Sequence, residues 1–215
     1  MCYNIKNGGE PMCGRYMLDI DIDEVIKSFK IEENLIKDYQ KGEKFPGSYI
    51  PVILNKSGKL VTECLYWGIK LNGKSIINVR FETADEKPMF KNLINHSRCI
   101  IPASYFYEWK ESGKNKEKVE IHTAHRKITS LAGIYGVFKD ENGKEYTSAV
   151  ILTVPACESM SHIHYRMPLI IPEEYENTWL SGAPITPLKN TLLESSLNIK
   201  FNFKSTEKIQ QISFL

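Results

Sequence analysis

Short runs of β-branched and aromatic residues, separated by polar turns, fill the second half of the chain from Cys99 onward. Such runs are typical of strands of about three to ten residues that pair with their neighbours in sequence. The dipeptide Asn142-Gly143 favours a tight hairpin turn between two of them. The strands are predicted near Cys99–Ile101, Tyr105–Lys110, Lys118–Thr123, Ile128–Phe138, Tyr146–Val154 and Met167–Ile171.

The first half of the chain mixes strand and helix patterns. A Pro-bearing loop that enters a strand is predicted at Phe45–Leu54, a hairpin with its turn at Ser57-Gly58 is predicted with Lys59–Ile69, and a further strand is predicted at Ile76–Phe81. Apolar residues at helical spacing predict helices at Asp19–Phe29, at Thr83–Asn95 with Thr83 as a cap, at Glu173–Leu180 and at Pro187–Leu197. The predicted fold class is therefore α+β: one domain with a mostly antiparallel β core and peripheral helices.

The charge balance excludes a histone-like, strongly basic protein. The 215 residues include 28 basic and 26 acidic side chains, a formal net charge of +2. A local basic groove remains compatible with this balance. The chain has five arginines, Arg15, Arg80, Arg98, Arg126 and Arg166. Because Arg offers a planar fork suited to phosphate or carboxylate, each is either a phosphate contact or part of an ordinary ion pair.

Cysteine usage and the apolar pattern indicate a reduced compartment. The chain has five Cys and no Cys-x-x-Cys pair, and it shows neither a secretory signal pattern nor an apolar run of about 18 residues. We expect a bacterial cytoplasmic protein with reduced thiols, in which Cys64 and Cys99 are core residues. Cys2 and Cys13 differ from the others because each follows a Met.

Reactive or polar side chains stand inside four strongly apolar segments. The segments read MCGRY from Met12, NVRFET from Asn78, FYEW from Phe106 and HYRMP from His164. A buried polar group must be paired, so each needs a reason to be there. These side chains either belong to a functional site or have ordinary explanations. Glu108 could face water through strand alternation, and His164 could be a structural histidine.

With YWGI at Trp67-Gly68, RCIIPASYFYEWK and IHYRMPLII, these segments resemble the SRAP (SOS response-associated peptidase) family, over residues 12–206. The resemblance implies a sensor of abasic sites in single-stranded DNA. It also implies that the initiator Met is removed and that Cys13, then the amino terminus, forms a thiazolidine crosslink with the abasic aldehyde. An α-amine of pKa about 7.7–8.0 can form a Schiff base with an aldehyde, and the β-thiol can add to the imine carbon.

The resemblance also implies roles for other residues and for partners. Asn78 positions the sugar, Glu108 is a proton shuttle and His164 assists the proton transfers. Arg15, Arg80 and Arg166 match positions where Arg contacts DNA phosphates. Trp67 either lines the DNA groove, where its ring can stack on a base, or is a core aromatic. Abasic single-stranded DNA is the expected partner of a monomer that needs no cofactor or metal and is nucleoid-associated when bound.

The start of the chain departs from the family pattern, because residues 1–11 precede Met12. They are either a propeptide that the protein removes, a regulatory extension, or a leader produced by a misassigned start codon. We favour the leader, since Gly8-Gly9-Glu10 back-translates to a purine-rich GGAGG ribosome-binding sequence just before the Met12 codon. The SRAP domain is then 12–215. Cys2 is a rival nucleophile, but no Gly-Arg-Tyr follows it.

Three other activities compete with or extend this hypothesis. One alternative is a cysteine peptidase, with Cys13 as nucleophile and His164 or Glu108 as base. Such a peptidase could also cleave its own amino-terminal segment. The Schiff base permits β-elimination, which would give lyase activity. A metal site at His122, His125, His162 and His164 is disfavoured, because spacing of three along a strand points His122 and His125 to opposite faces.

Overall fold

The computed structural model describes residues 13–113, 115–124 and 126–209, with the side chains of 207–209 excepted. The predicted leader at 1–11, the rival nucleophile Cys2 and His125 lie outside the described residues. Within the described part of the chain, two β-sheets form the core and helices pack against strands of the second one. The predicted α+β class with mostly antiparallel strands is confirmed.

The first sheet has five strands in the part of the chain that the structure describes. In spatial order they are β15 (Phe201–Ile209), β11 (Asn115–Thr123), β10 (Tyr105–Ser112), β1 (Tyr16–Leu18) and β3 (Gly42–Lys44). All their pairings are antiparallel.

The second sheet has eight described strands. In order they are β14 (Arg166–Pro168), β13 (Glu145–Pro155), β12 (Thr129–Lys139), β9 (Arg98–Ala103), β4 (Tyr49–Lys56), β5 (Lys59–Trp67) and β2 (Glu33–Asn34), with β8 (Asn78–Arg80) paired to β13. Because β5 also pairs in parallel with β13, strands β13, β12, β9, β4 and β5 close into a ring. A small hairpin, β6 (Ile69–Leu71) and β7 (Lys74–Ile76), follows β5.

Five α-helices are described around these sheets. They are α1 (Ile22–Phe29), α2 (Pro88–His96), α3 (Glu158–Ser161), α4 (Glu173–Leu180) and α5 (Ile185–Leu197). The prediction of Glu173–Leu180 is confirmed to the residue. The start predicted at Thr83 is wrong: Phe81–Thr83 is a separate 3₁₀ turn, and α2 begins at Pro88. Proline suits the first helical position because its fixed φ matches the helix and its missing N–H needs no partner there.

The two sheets are joined at Ser104, where the chain leaves β9 and enters β10. The Ser104 N–H donates to the Met17 carbonyl (2.7 Å), and the Ser104 hydroxyl accepts from the Asp19 N–H (2.8 Å). In the core, the rings of Tyr16 from the first sheet and Trp67 from the second lie 5.5 Å apart. The start of β1 is therefore held against both sheets.

The observed strands match the predicted ones in the second half, and the turns behave as their residues require. Ser57 and Gly58 have positive φ values of 53° and 89° between β4 and β5, as a tight hairpin turn demands. Strand β15 was not predicted. Only Phe201 of its first five residues is buried, and its main partner is β11, far away in sequence.

Arg98 connects two helix ends to the second sheet. Its buried guanidinium donates hydrogen bonds to the carbonyls of Ile94 (2.9 Å), Trp179 (2.7 Å) and Ala183 (2.7 Å). This arginine is therefore a structural residue that binds backbone carbonyls, a role different from the phosphate contact and the ordinary ion pair between which the sequence left it open.

We expect Arg98→Ala to lower the free energy of unfolding by about 3 kcal/mol or more. The substitution removes a charged donor from three carbonyl oxygens, and a buried carbonyl without a hydrogen bond destabilises the folded protein. Urea denaturation followed by circular dichroism measures this change. Lys91→Ala, on the exposed side of α2, is the matched control and should stay within about 0.5 kcal/mol of the parent protein. Equal stability of the two variants would contradict the assignment.

Candidate functional site

Cys13 lies three residues before the first residue of β1 and is fully buried. Its backbone N–H donates a 2.7 Å hydrogen bond to Oε1 of Glu108 on β10. Its φ of 39° is in the left-handed region, which is uncommon for a residue with a side chain. The motif that begins at Met12 therefore places a thiol and a main-chain nitrogen against one carboxylate.

Strand pairing explains why Glu108 faces inward. Tyr16 pairs with Phe106, and the Tyr107 N–H donates to the Arg15 carbonyl (3.0 Å). Side chains alternate along a strand, so Glu108 shares the inner face with the buried Phe106. Its exposed fraction is only 2%. The alternative in which alternation turns Glu108 to water is therefore wrong.

The Cys13 thiol is held in its neutral form. Burial raises the pKa of this thiol well above its usual value, and the negative charge of Glu108 raises it further. A thiolate would have to form in an apolar environment beside a carboxylate. The thiol is thus a neutral nucleophile that needs a nearby group to take its proton.

Asn78 reaches the same region from the second sheet. It begins β8 and pairs with Ile151 of β13. The preceding residue, Ile77, lies against Gly14: a Cβ placed on that glycine would be 3.9 Å from Ile77 Cδ1. The half-buried Asn78 therefore follows directly on the residue that contacts the Cys13-Gly14 turn.

His164 is fixed through one ring nitrogen. Its Nδ1 lies 3.1 Å from both the backbone nitrogen and the carbonyl oxygen of Arg166. The N–H can donate to Nδ1 of the neutral ring, and the carbonyl can accept from Nδ1–H of the protonated ring. The backbone of Arg166 therefore accommodates either protonation state without a change of ring position.

Arg166 is paired within the chain. Its guanidinium donates to both carboxylate oxygens of Glu82 (2.6 and 2.8 Å) and to the carbonyl of Thr153 (2.7 Å). Burial alone would raise the pKa of Glu82, but the hydrogen bonds from Arg166, a backbone hydrogen bond and the positive charges of Arg166 and Arg80 together hold that pKa below its usual value. Arg166 therefore anchors the segment that carries His164, and its charge is already matched by a carboxylate.

Arg15 and Arg80 differ from Arg166 in their exposure to solvent. The Arg15 side chain is 40% exposed, lies 3.3 Å from a Glu43 oxygen and packs its guanidinium over the rings of Phe45 (4.7 Å) and Trp109 (5.4 Å). Arg80 is exposed at the end of β8. These two cations are the arginines of the predicted set that solvent reaches.

Trp67 is fully buried, with an exposed fraction of 0%. Its indole N–H donates to the Ile77 carbonyl (3.2 Å), and its ring packs on Tyr16. The assignment of Trp67 to the DNA groove is therefore wrong, and its alternative as a core aromatic is correct. The partly buried indole that lies under the Arg15 guanidinium is that of Trp109.

Two residues that sequence reasoning did not single out border the site, Glu82 and Trp109. Both lie inside segments already marked, next to Phe81 and Glu108 respectively. A carboxylate beside a buried aromatic was the available signal for Glu82. Only the fold shows that its partner is Arg166, 84 residues away.

Metal binding finds no support in the described residues, which contain no group of three or more His, Cys, Asp or Glu side chains that could hold an ion. His122 instead stacks on Tyr105, with 4.3 Å between ring centroids, and His162 packs on Phe203. The described cysteines, Cys13, Cys64, Cys99 and Cys157, are free thiols. No helix in the described part of the chain is long and apolar enough to cross a membrane.

Comparison with known proteins agrees with the motifs. A family model described as SOS response associated peptidase (SRAP) matches residues 12–207. The abasic site processing protein YoqW of Bacillus subtilis (strain 168) is 33% identical over 186 residues, which cover 82% of this chain and 83% of the relative. The abasic site processing protein YedK of Escherichia coli (strain K12) is 28% identical over 177 residues, 79% of each chain.

The fold is also found among solved structures. A crystal structure of a Bacteroides thetaiotaomicron protein matches with a TM-score of 0.75 at 21% identity and covers 91% of this chain and 92% of that one. A Bordetella bronchiseptica protein matches with a TM-score of 0.74, also at 21% identity, over 91% of this chain and 100% of that one.

We expect the free energy of unfolding to fall as the pH rises above about 8.5, where thiols ionise in the unfolded chain. Because the pKa of Cys13 is raised in the folded protein, the stabilisation is complete below the unfolded pKa and declines above it. Cys13 should contribute about 1.4 kcal/mol per pH unit to this decline. Urea denaturation of wild type and Cys13→Ala between pH 8 and 10 measures the difference, and parallel curves would contradict it.

Proposed function

The chain belongs to the SOS response-associated peptidase (SRAP) family, and from this premise we propose that it processes abasic sites in single-stranded DNA. The proposed product is a covalent thiazolidine crosslink between the DNA and Cys13. The protein would thereby sense and shield the lesion in the DNA damage response.

The observation that carries the proposal is the 2.7 Å contact between the Cys13 nitrogen and Glu108 Oε1. In the full-length chain this nitrogen is an amide. In a chain that begins at Cys13 it is the α-amine, and the same carboxylate is its hydrogen-bond partner. A carboxylate in that position can take a proton from the ammonium form and return it later, as a general acid–base catalyst does.

The proposed reaction has two bond-forming steps. The neutral α-amine attacks the aldehyde carbon of the ring-opened abasic sugar, and the resulting carbinolamine loses water to give an imine. The Cys13 sulfur then adds to the imine carbon, and the thiol proton ends on the nitrogen. One C–N and one C–S bond form, one water leaves and no redox change occurs. A Cys within the chain cannot complete the ring, since it lacks the amine.

Glu108 and His164 supply the proton transfers in this scheme. Glu108 lies on the Cys13 nitrogen, so it fits the amine deprotonation and the departure of water. The His164 ring is held through Nδ1, which suits a group that gains and loses a proton during ring opening or imine formation. Asn78 is proposed to position the sugar.

DNA contacts follow from the exposure of the arginines. Arg15 and Arg80 are accessible to phosphates. A phosphate contact by Arg166 would have to share a guanidinium that Glu82 and Thr153 already bind. We propose that Arg15 and Arg80 bind the backbone directly and that Arg166 chiefly orients the His164 segment.

The amine requirement extends to the start of the chain. We propose that Met12 is the residue removed and that Cys13 is the functional amino terminus, with the SRAP domain as 12–215 and 1–11 as a leader. The scheme uses one chain and no cofactor or metal, and it would associate the protein with the bacterial nucleoid.

The peptidase alternative fits the thiol less well. A cysteine protease lowers the pKa of its nucleophile so that the thiolate forms near neutral pH, whereas the environment of Cys13 raises it. Lyase activity fits better, because the imine that precedes the thiazolidine also permits β-elimination of the 3′ phosphate.

We expect protein that begins at Cys13 to form an adduct with an abasic single-stranded oligonucleotide that survives denaturing electrophoresis. Cys13→Ala should give no such band, and EDTA should have no effect. Cys13→Ser should give a stable band only after borohydride reduction, because its amine forms an imine without the thiol. Intact mass establishes the starting residue in each preparation. A stable adduct from the uncleaved chain would refute the amine mechanism.

We expect Glu108→Gln to slow adduct formation about 10²-fold, because the amide keeps the shape but cannot carry the proton. His164→Ala should also slow adduct formation or reversal. Rates come from quenched time courses on denaturing gels. Glu111→Gln, on the exposed part of β10, and His162→Ala, which is exposed two residues before His164, are the matched controls. Unchanged rates in both site variants would remove their assigned roles.

A further inference from the structure

Three tyrosines from neighbouring strands project from one face of the second sheet. Tyr49 of β4 is paired directly with Tyr66 of β5, and Tyr66 is paired with Ser148 of β13, two residues beyond Tyr146. Period-two alternation therefore places the three side chains on the same face. Their ring centroids lie 5.8 Å apart for Tyr49 and Tyr66, and 5.6 Å apart for Tyr66 and Tyr146.

A cation completes this surface, which we call the tyrosine patch (Tyr49, Tyr66, Tyr146 and Lys70). The Lys70 ammonium lies 5.0 Å from the Tyr66 ring centroid and 5.9 Å from that of Tyr146. The Lys70 N–H donates to the Tyr146 hydroxyl (2.8 Å), which fixes this part of the chain on the patch. Tyr49 is 64% exposed, so it presents most of its ring to solvent.

The patch is continuous with the site around Cys13. Phe45, whose ring lies under the Arg15 guanidinium, begins the turn that leads to Tyr49. That turn is fixed on β5 and on itself, because the Gly47 N–H donates to the Trp67 carbonyl (2.9 Å) and the Ser48 N–H donates to the Phe45 carbonyl (3.2 Å). Exposed aromatic and cationic groups thus lead from Arg15 to Tyr49 and on to Lys70.

The outer face of the first sheet has a different electrostatic character. Its aromatic residues include Tyr105 and Tyr107, and Lys118 lies over the Tyr107 ring at 3.7 Å. Lys118 is also 2.8 Å from a Glu43 oxygen. The Lys118 ammonium is thus paired with a carboxylate and its side chain is only 18% exposed, whereas Lys70 of the tyrosine patch is an exposed residue.

We propose that the tyrosine patch binds the single-stranded DNA that flanks the lesion, an inference that rests on the proposed function. An abasic nucleotide has no base to stack, so stacking must come from its neighbours. Aromatic faces that accept any base, beside cations that accept phosphate, are the usual means of binding single strands without sequence preference. Tyr49 is the stacking platform for a flanking base, and Lys70 contacts a backbone phosphate.

The test uses the full 215-residue chain and a fluorescein-labelled, undamaged thymidine 15-mer, so it does not depend on the crosslink. Fluorescence anisotropy should show that Tyr49→Ala raises Kd about fivefold or more, because a base loses its platform. Tyr49→Phe, which keeps the ring, should bind like wild type. Lys70→Ala should weaken binding and reduce the slope of log Kd against log salt by about one.

Lys59→Ala is the matched charge control, since Lys59 is an exposed lysine at the opposite end of β5, and it should bind like wild type. Thermal unfolding of each variant excludes a loss of fold as the cause. Kd values for both Tyr49→Ala and Lys70→Ala within twofold of the wild-type Kd would overturn the proposal and show that the tyrosine patch does not bind single-stranded DNA. If wild type forms no abasic adduct but the variants still lose affinity, the crosslink fails and the patch stands.

Discussion

The hydrogen bond between the Cys13 nitrogen and Glu108 sets the geometry of the candidate site. A carboxylate on the inner face of a sheet is costly unless a donor meets it, and here the donor is the backbone nitrogen of Cys13, three residues before the start of β1. The short strand β1 gains its place from β10 on one side and β3 on the other. The same contact therefore satisfies a buried charge and holds the reactive residue in the core.

The second sheet supplies the rest of the site through a single strand. Strand β13 pairs with β8, which carries Asn78 and Arg80, and with β14, which begins at Arg166. The ion pair between Glu82 and Arg166 then joins the segments on its two sides. A substitution that weakens this ion pair is expected to act on His164 indirectly, because the His164 ring nitrogen is hydrogen-bonded to the backbone of Arg166.

Local patterns predicted most of the strands and the late helix Glu173–Leu180, and the family resemblance assigned Cys13 and Glu108 to one reaction. Local patterns did not predict β15, because its main partner β11 is distant in sequence. Nor could they separate three similar arginine positions. Arg15, Arg80 and Arg166 look equivalent in the chain, whereas in the fold Arg166 is buried against Glu82 and both Arg15 and Arg80 are exposed to solvent.

The sequence by itself determined the fold class, the family resemblance and the identity of the chemical groups, since these depend on residue type, local periodicity and motif order. The tertiary structure decided which groups are inside. It buried Trp67 against Tyr16 and brought three tyrosines from separate strands onto one exposed face. The physical reason is that alternation assigns residues to two faces of a strand, but distant strands and helices determine which face meets the core.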